Sequence, residues 1–72
     1  MLVWKWNDED QSYHGYQNGE YAGVSIAERD TIYNGRPDRA YDVVTNWGDT
    51  FQAATAWATA EDAAERLLAN RR

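Results

Sequence analysis

Only one stretch of this chain carries a helical pattern, and that forces most of the remainder into strands. In residues 59–72, TAEDAAERLLANRR, the apolar side chains Ala60, Ala63, Ala64, Leu67 and Leu68 recur at i, i+3, i+4, i+7 and i+8, which is one stripe of an α-helix. Thr59 is placed to act as N-cap, with Asp62 three residues on as a weak capping box. Glu61, Asp62 and Glu65 stand toward the positive end of the macrodipole, and Arg71 and Arg72 toward the negative end. Asp62 and Arg66 are spaced to pair along the solvent face. The stripe predicts a helix over 60–70 whose alanines let it approach a sheet closely, with Leu67 at the centre of the core.

The rest alternates. Leu2, Trp4 and Trp6 interleave with Val3 and Lys5, so residues 2–6 read as a strand. Residues 7–12 are polar and acidic and read as a loop. Residues 13–21, YHGYQNGEY, fit either a tight aromatic loop or a hairpin turning at Asn18 and Gly19, a pair favoured in type I′ turns. A strand over 22–30 puts Val24 and Ile26 on one face. If Asn34 and Gly35 form a second type I′ turn, strand partners have numbers that sum to 69. Ile26 then faces Val43, Val24 faces Thr45, Asp30 faces Arg39, and Pro37 faces Ile32. Apolar meets apolar and acid meets base, so this register is self-consistent.

A third strand over 38–47 has Tyr41, Val43, Thr45 and Trp47 on one face, and a fourth over 50–57 has Phe51, Ala53, Thr55 and Trp57. A three-residue loop at Gly48, Asp49 and Thr50 pairs Trp47 with Phe51 and Tyr41 with Trp57, which keeps both apolar sets together. The expected fold is therefore a single α+β domain over 1–72. It is an antiparallel meander of about four strands with one C-terminal helix packed on one face. The other face, with Ser25, Ala27, Arg29, Asp42, Val44, Asn46, Gln52 and Ala54, is small and polar, and either faces water or contacts a partner.

Composition narrows the chemistry. A chain of 72 residues buries only about 60% of its unfolded surface, so its core is small. There is no cysteine, which removes disulfides, zinc–thiolate sites and a cysteine nucleophile. No apolar run reaches the length of a membrane span, and residues 1–6 are too short for a signal-peptide core, so the expected compartment is the cytoplasm. Net charge is −5, and residues 1–30 hold six acids against two bases. That balance argues against phosphate-backbone binding, which needs clustered Lys and Arg. It fits either simple solubility or an acidic face aimed at a basic partner.

Catalytic patterns are missing. His14, the only histidine, reads as a surface or turn residue, because a base needs an orienting acid and a nucleophile. A calcium loop needs Gly at its sixth position and Glu at its twelfth; starting at Asp8 these are Tyr13 and Gly19, and starting at Asp10 the twelfth is Tyr21. Gly19, Gly23 and Gly35 make no phosphate-binding motif. No metal, cofactor or enzymatic activity is expected. The aromatic content stands out, with four Trp, five Tyr and one Phe. The tryptophans with Tyr41 and Phe51 suit a buried face, which leaves loop tyrosines among Gly, Asn, Gln, Ser and His. That is a mixture typical of binding surfaces. The expected partner surface is Asp8, Glu9, Asp10, Tyr13, Tyr16, Glu20 and Tyr21.

In size, acidity, sheet-plus-helix architecture and lack of catalytic groups, the chain resembles the small acidic inhibitors encoded by phages and prophages, including anti-CRISPR and other anti-defence proteins. The resemblance is one of kind and assigns no role to a single residue. It implies a non-enzymatic protein that occupies the basic or nucleic-acid-binding surface of a partner without touching nucleic acid or membrane itself. The alternative is a structural or accessory protein that homodimerises through its open sheet face or edge.

Overall fold

Two asparagine–glycine pairs set the sheet. Asn18 and Gly19 have φ of 54° and 81°, and Asn34 and Gly35 have 52° and 74°, the doubly left-handed backbone of a type I′ turn. In the computed structural model, which describes residues 1–71 and only the backbone at Ala53, these turns join three of five strands. The elements are β1 (Val3–Asn7), β2 (Ser12–Gln17), β3 (Glu20–Tyr33), β4 (Arg36–Thr45), β5 (Thr50–Ala54) and α1 (Trp57–Ala69). They form one antiparallel sheet in the order β1-β2-β3-β4-β5. The hairpin reading of residues 13–21 therefore holds, and β2 adds a strand to the meander. No helix among the described residues is long and apolar enough to cross a membrane.

The β3–β4 ladder has the register expected from its turn: Val24 opposite Thr45, Ile26 opposite Val43, Asp30 opposite Arg39 and Ile32 opposite Pro37. The β4–β5 register differs. The Thr45 amide donates to the Asp49 carbonyl at 3.0 Å, and the Asp49 amide donates to Thr45 Oγ1 at 2.9 Å. The three-residue loop is therefore 46–48, not 48–50. Val43 faces Phe51, Tyr41 faces Ala54, and β5 carries an irregularity between them. An extra residue there reverses the alternation. Ala54, expected on the open face, is instead 4% exposed in the core. The expected role of the Ala53 side chain lies outside what is described.

The core is small. Leu2, Val24, Ile26, Val43, Ala54, Ala60, Ala63 and Ala64 are buried together. Leu67 is only partly buried against them, so the centre belongs to Ile26, Val24 and Val43. The reason is the alanine stripe. It brings α1 close to the sheet, so the space left is filled from the strand side. A second, aromatic cluster sits beside this core. The Trp57 ring meets Trp4 at 5.8 Å, Tyr13 at 5.0 Å and Tyr41 at 5.8 Å, all edge-on. Each such pair contributes about 0.5–1.5 kcal/mol beyond burial.

These contacts also move the helix start. α1 begins at Trp57, its N-cap is Ala56, and no side chain caps it. Thr59 thus lies inside the first turn instead of capping it. The Asp62–Arg66 pair forms as expected, at 3.3 Å. The Arg71 guanidinium lies 4.7 Å over the Trp47 ring, while Arg72 is outside the described residues.

Candidate functional site

Strand alternation decides which side chains meet on the face away from α1. Tyr13 is opposite Ile26, a core residue, so His14, the next residue, points the other way. His14 is flanked by Lys5 on β1 and Ser25 on β3, and Ser25 is flanked by Val44 on β4. Lys5, His14, Ser25 and Val44 therefore make one row across four strands. A second row, Val3, Tyr16 and Tyr21, lies beside it. Between the rows β3 takes two more residues than β2, with Gly23 at φ 84° in the irregular stretch. Because the excess is two, Tyr21 returns to the same face as Ser25.

The contacts on this face are continuous. The His14 imidazole donates from Nε2 to Asp10 Oδ2 at 2.7 Å, and its side chain is only 12% exposed. Its ring stacks on Tyr21 at 4.7 Å with an interplanar angle of 23°. The Tyr21 hydroxyl and Ser25 Oγ share a hydrogen bond of 3.0 Å. Tyr16 lies 6.0 Å from Tyr21, and the Lys5 ammonium stands 4.8 Å from the centre of the Tyr16 ring. His14 is thus a strand residue that ties the acidic turn to an aromatic pad, not the surface or turn residue expected from sequence.

The acidic turn is itself braced. Trp6 Nε1 donates to Asp8 Oδ1 at 2.7 Å, the Asp10 amide donates to Asn7 Oδ1 at 3.0 Å, and Gln11 Nε2 donates to the Asp8 carbonyl at 2.7 Å. Gln11 takes a left-handed φ of 53° to close it. Glu9, exposed at the tip, makes no side-chain hydrogen bond or ion pair with the other described residues.

Of the residues singled out from sequence, the fold brings Asp10, Tyr16 and Tyr21 together. Asp8 and Glu9 adjoin them in the turn. Tyr13 is turned to the helix side, where its ring packs against Trp6 at 4.9 Å and against Trp57. Glu20 begins β3 beyond the Asn18–Gly19 turn, at the far end of β2, roughly 17 Å from the acidic turn by strand rise. Lys5 and His14 belong to the same surface and were missed, whereas Ser25 and Val44 lie on the open face as expected and adjoin them there. The signal was available: once residues 12–17 are a strand, residues 14 and 16 share a face that residue 13 cannot. The aromatic pad and the open sheet face around Val44 are one surface.

Among the described residues, the hydroxyl directly opposite His14, that of Ser25, bonds Tyr21, and no hydroxyl bonds the imidazole. Among the described residues, no three His, Asp or Glu side chains are grouped to hold a metal ion. The chain matches no family model, no curated protein and no solved structure.

Proposed function

We propose that this chain is a non-enzymatic protein-binding module that occupies a basic surface of a partner through the face bearing Asp10, His14, Tyr16 and Tyr21. The observation that carries the reading is the Asp10–His14–Tyr21 chain of contacts, at 2.7 and 4.7 Å. It joins clustered carboxylates to ordered aromatic rings on one face. Carboxylates at the rim speed encounter with a basic cleft. Tyrosine rings beside them supply anchors at low entropic cost, because their neighbours already hold them. A nucleic-acid-binding effector offers such a cleft, and covering it would inhibit that effector.

The test is comparative affinity capture from a host lysate. It uses the parent, a Tyr16→Ala variant, a triple charge reversal of Asp8, Glu9 and Asp10 to Lys, and an Arg36→Ala control at the distant β3–β4 turn. The reading expects one partner retained by the parent and control and lost or depleted with the other two. A partner held equally by all four would place the docking surface elsewhere. The purified partner then separates the two contributions. Charge reversal should mainly slow association, and Tyr16→Ala should mainly speed dissociation by about 1–3 kcal/mol. Salt-dependent micromolar binding of duplex DNA by the isolated chain would contradict the charge argument.

A further inference from the structure

We infer that the outer edge of β3 over residues 28–33 is a strand-docking site, and that its occupant is an extended segment of a partner protein with basic side chains at alternate positions. The site is built from backbone and stands apart from the tyrosine-bearing face, so its test stands or falls independently of that reading.

β3 outruns both of its flanks. On one side β2 begins at Ser12, and its ladder with β3 extends no further than Tyr13 opposite Ile26. On the other side β5 reaches along β4 only to Tyr41, opposite Ala54. Residues 28–33 and 36–40 therefore form a two-stranded arm with no further strand beside it. Ile32 near its tip is 75% exposed. A two-residue turn closes on a hydrogen-bonded pair, here Tyr33 with Arg36. Alternation then makes Ile32–Pro37, Asp30–Arg39 and Glu28–Tyr41 the pairs whose N–H and C=O groups point away from the ladder. Ile26 belongs to the same set and turns these groups toward β2. At Glu28, Asp30 and Ile32 no strand among the described residues receives them. Donors and acceptors in that repeat are what an added strand bonds. The other edge of the arm is interrupted at Pro37, which has no N–H to offer.

Side chains select the occupant. Glu28, Asp30 and Ile32 share one face of β3. Arg39 holds Glu28 at 3.3 Å, while Asp30, exposed, makes no side-chain hydrogen bond or ion pair with the other described residues. The acidic turn leads into Ser12, so it stands where the free edge begins. A second copy reversed about the middle of this stretch would set Asp30 against Asp30, and like charges directly opposite are destabilising. A strand with Lys or Arg opposite Asp30 and Glu28, and an apolar residue opposite Ile32, makes favourable cross-strand pairs instead. Run antiparallel, as every ladder of this sheet does, that segment reads apolar-x-basic-x-basic.

The experiment is amide NMR on the isotopically labelled chain, with the end-blocked peptide Thr-Val-Thr-Lys-Thr-Lys-Thr as probe. One control peptide carries Glu in place of both Lys. Another is N-methylated at Val and both Lys, the residues whose N–H groups would bond the edge. The lysine peptide should shift the Glu28, Asp30 and Ile32 amides saturably, with Kd below about 1 mM, and slow their exchange with solvent. Both controls should bind at least about tenfold more weakly. Ile32→Pro removes one outward N–H and spares the β3–β4 ladder, and Asp30→Lys reverses the selecting charge. Each variant, checked for folding by far-UV circular dichroism, should lose the response to the lysine peptide. Absence of a saturable shift in the parent would overturn the proposal. So would a control peptide that binds equally, or shifts confined to residues outside the β3 edge.

Discussion

Gly23 is the residue whose missing β-carbon matters most. Its φ is 84°, and a Cβ would lie 2.7 Å from Asn46 Oδ1. The Asn46 amide also donates to the Gly23 carbonyl at 2.9 Å, so the neighbour is tethered. Gly35 shares the left-handed backbone, at φ 74°, but a Cβ there meets nothing within 4 Å. Gly35→Ala should therefore cost about 1 kcal/mol from backbone strain alone, and Gly23→Ala at least about 2 kcal/mol, read from urea denaturation midpoints. Equal losses would mean that Asn46 swings aside freely. The same comparison ranks the core. Ile26→Ala should cost about 3–4 kcal/mol, and the half-buried Leu67→Ala about 1–2 kcal/mol. Sequence placed Leu67 at the centre because a helical stripe reveals which face is inward, not how deeply each residue sits. Gly23 left a legible trace, an isolated glycine in a β-branched run, which marks a bulge. His14 left none until its strand neighbours were known.

Elements show where local chemistry yields to packing. The β3–β4 register was readable because Asn34 and Gly35 dictate their turn locally, and the charge pairs along the ladder agree with it. The β4–β5 register was not, because the turn closes through Thr45 and Asp49 and the irregularity on β5 then reverses its alternation. The helix start is a similar contest. Thr59 is the better cap by residue type, but the chain enters the helix at Trp57, whose ring there meets Trp4, Tyr13 and Tyr41. Three ring contacts outweigh one cap, which is worth about 1 kcal/mol. The result is an N-terminus capped by no side chain at Ala56. Ala56→Asp should stabilise the fold by about 0.5–1 kcal/mol, by capping free amides and meeting the helix dipole. Thr59→Ala should change stability by less than about 0.5 kcal/mol. Thermal melts of the two variants check both, and the opposite order would restore Thr59 as the functional cap.

At the scale of the whole molecule, the question is what makes five strands and a helix unfold together. α1 packs over β3, β4 and β5, and the β1–β2 hairpin extends beyond it. Trp57 closes that gap by reaching Trp4 on β1, Tyr13 on β2 and Tyr41 on β4. Gly15 helps, since a Cβ there would stand 3.0 Å from the Trp4 ring; its absence lets that indole lie close to the β2 backbone. The aromatic cluster is thus the joint between the outer hairpin and the main core, and the open-face pad depends on it because Tyr16 and His14 ride on β2. In the parent, protected amides of β2, β3 and α1 should exchange with similar opening free energies, as one cooperative unit. Trp57→Ala should cost about 3–5 kcal/mol, a large share of a small domain's stability, and the loss should be uneven. β1 and β2 amides should become faster-exchanging than those at the centre of β3 and β4, where Val24, Ile26 and Val43 stay packed. Native-state hydrogen exchange on the variant reads this directly. Uniform loss across all strands would mean that Leu2 and the β2–β3 ladder already couple the hairpin to the core, and that Trp57 contributes burial without joining the two halves.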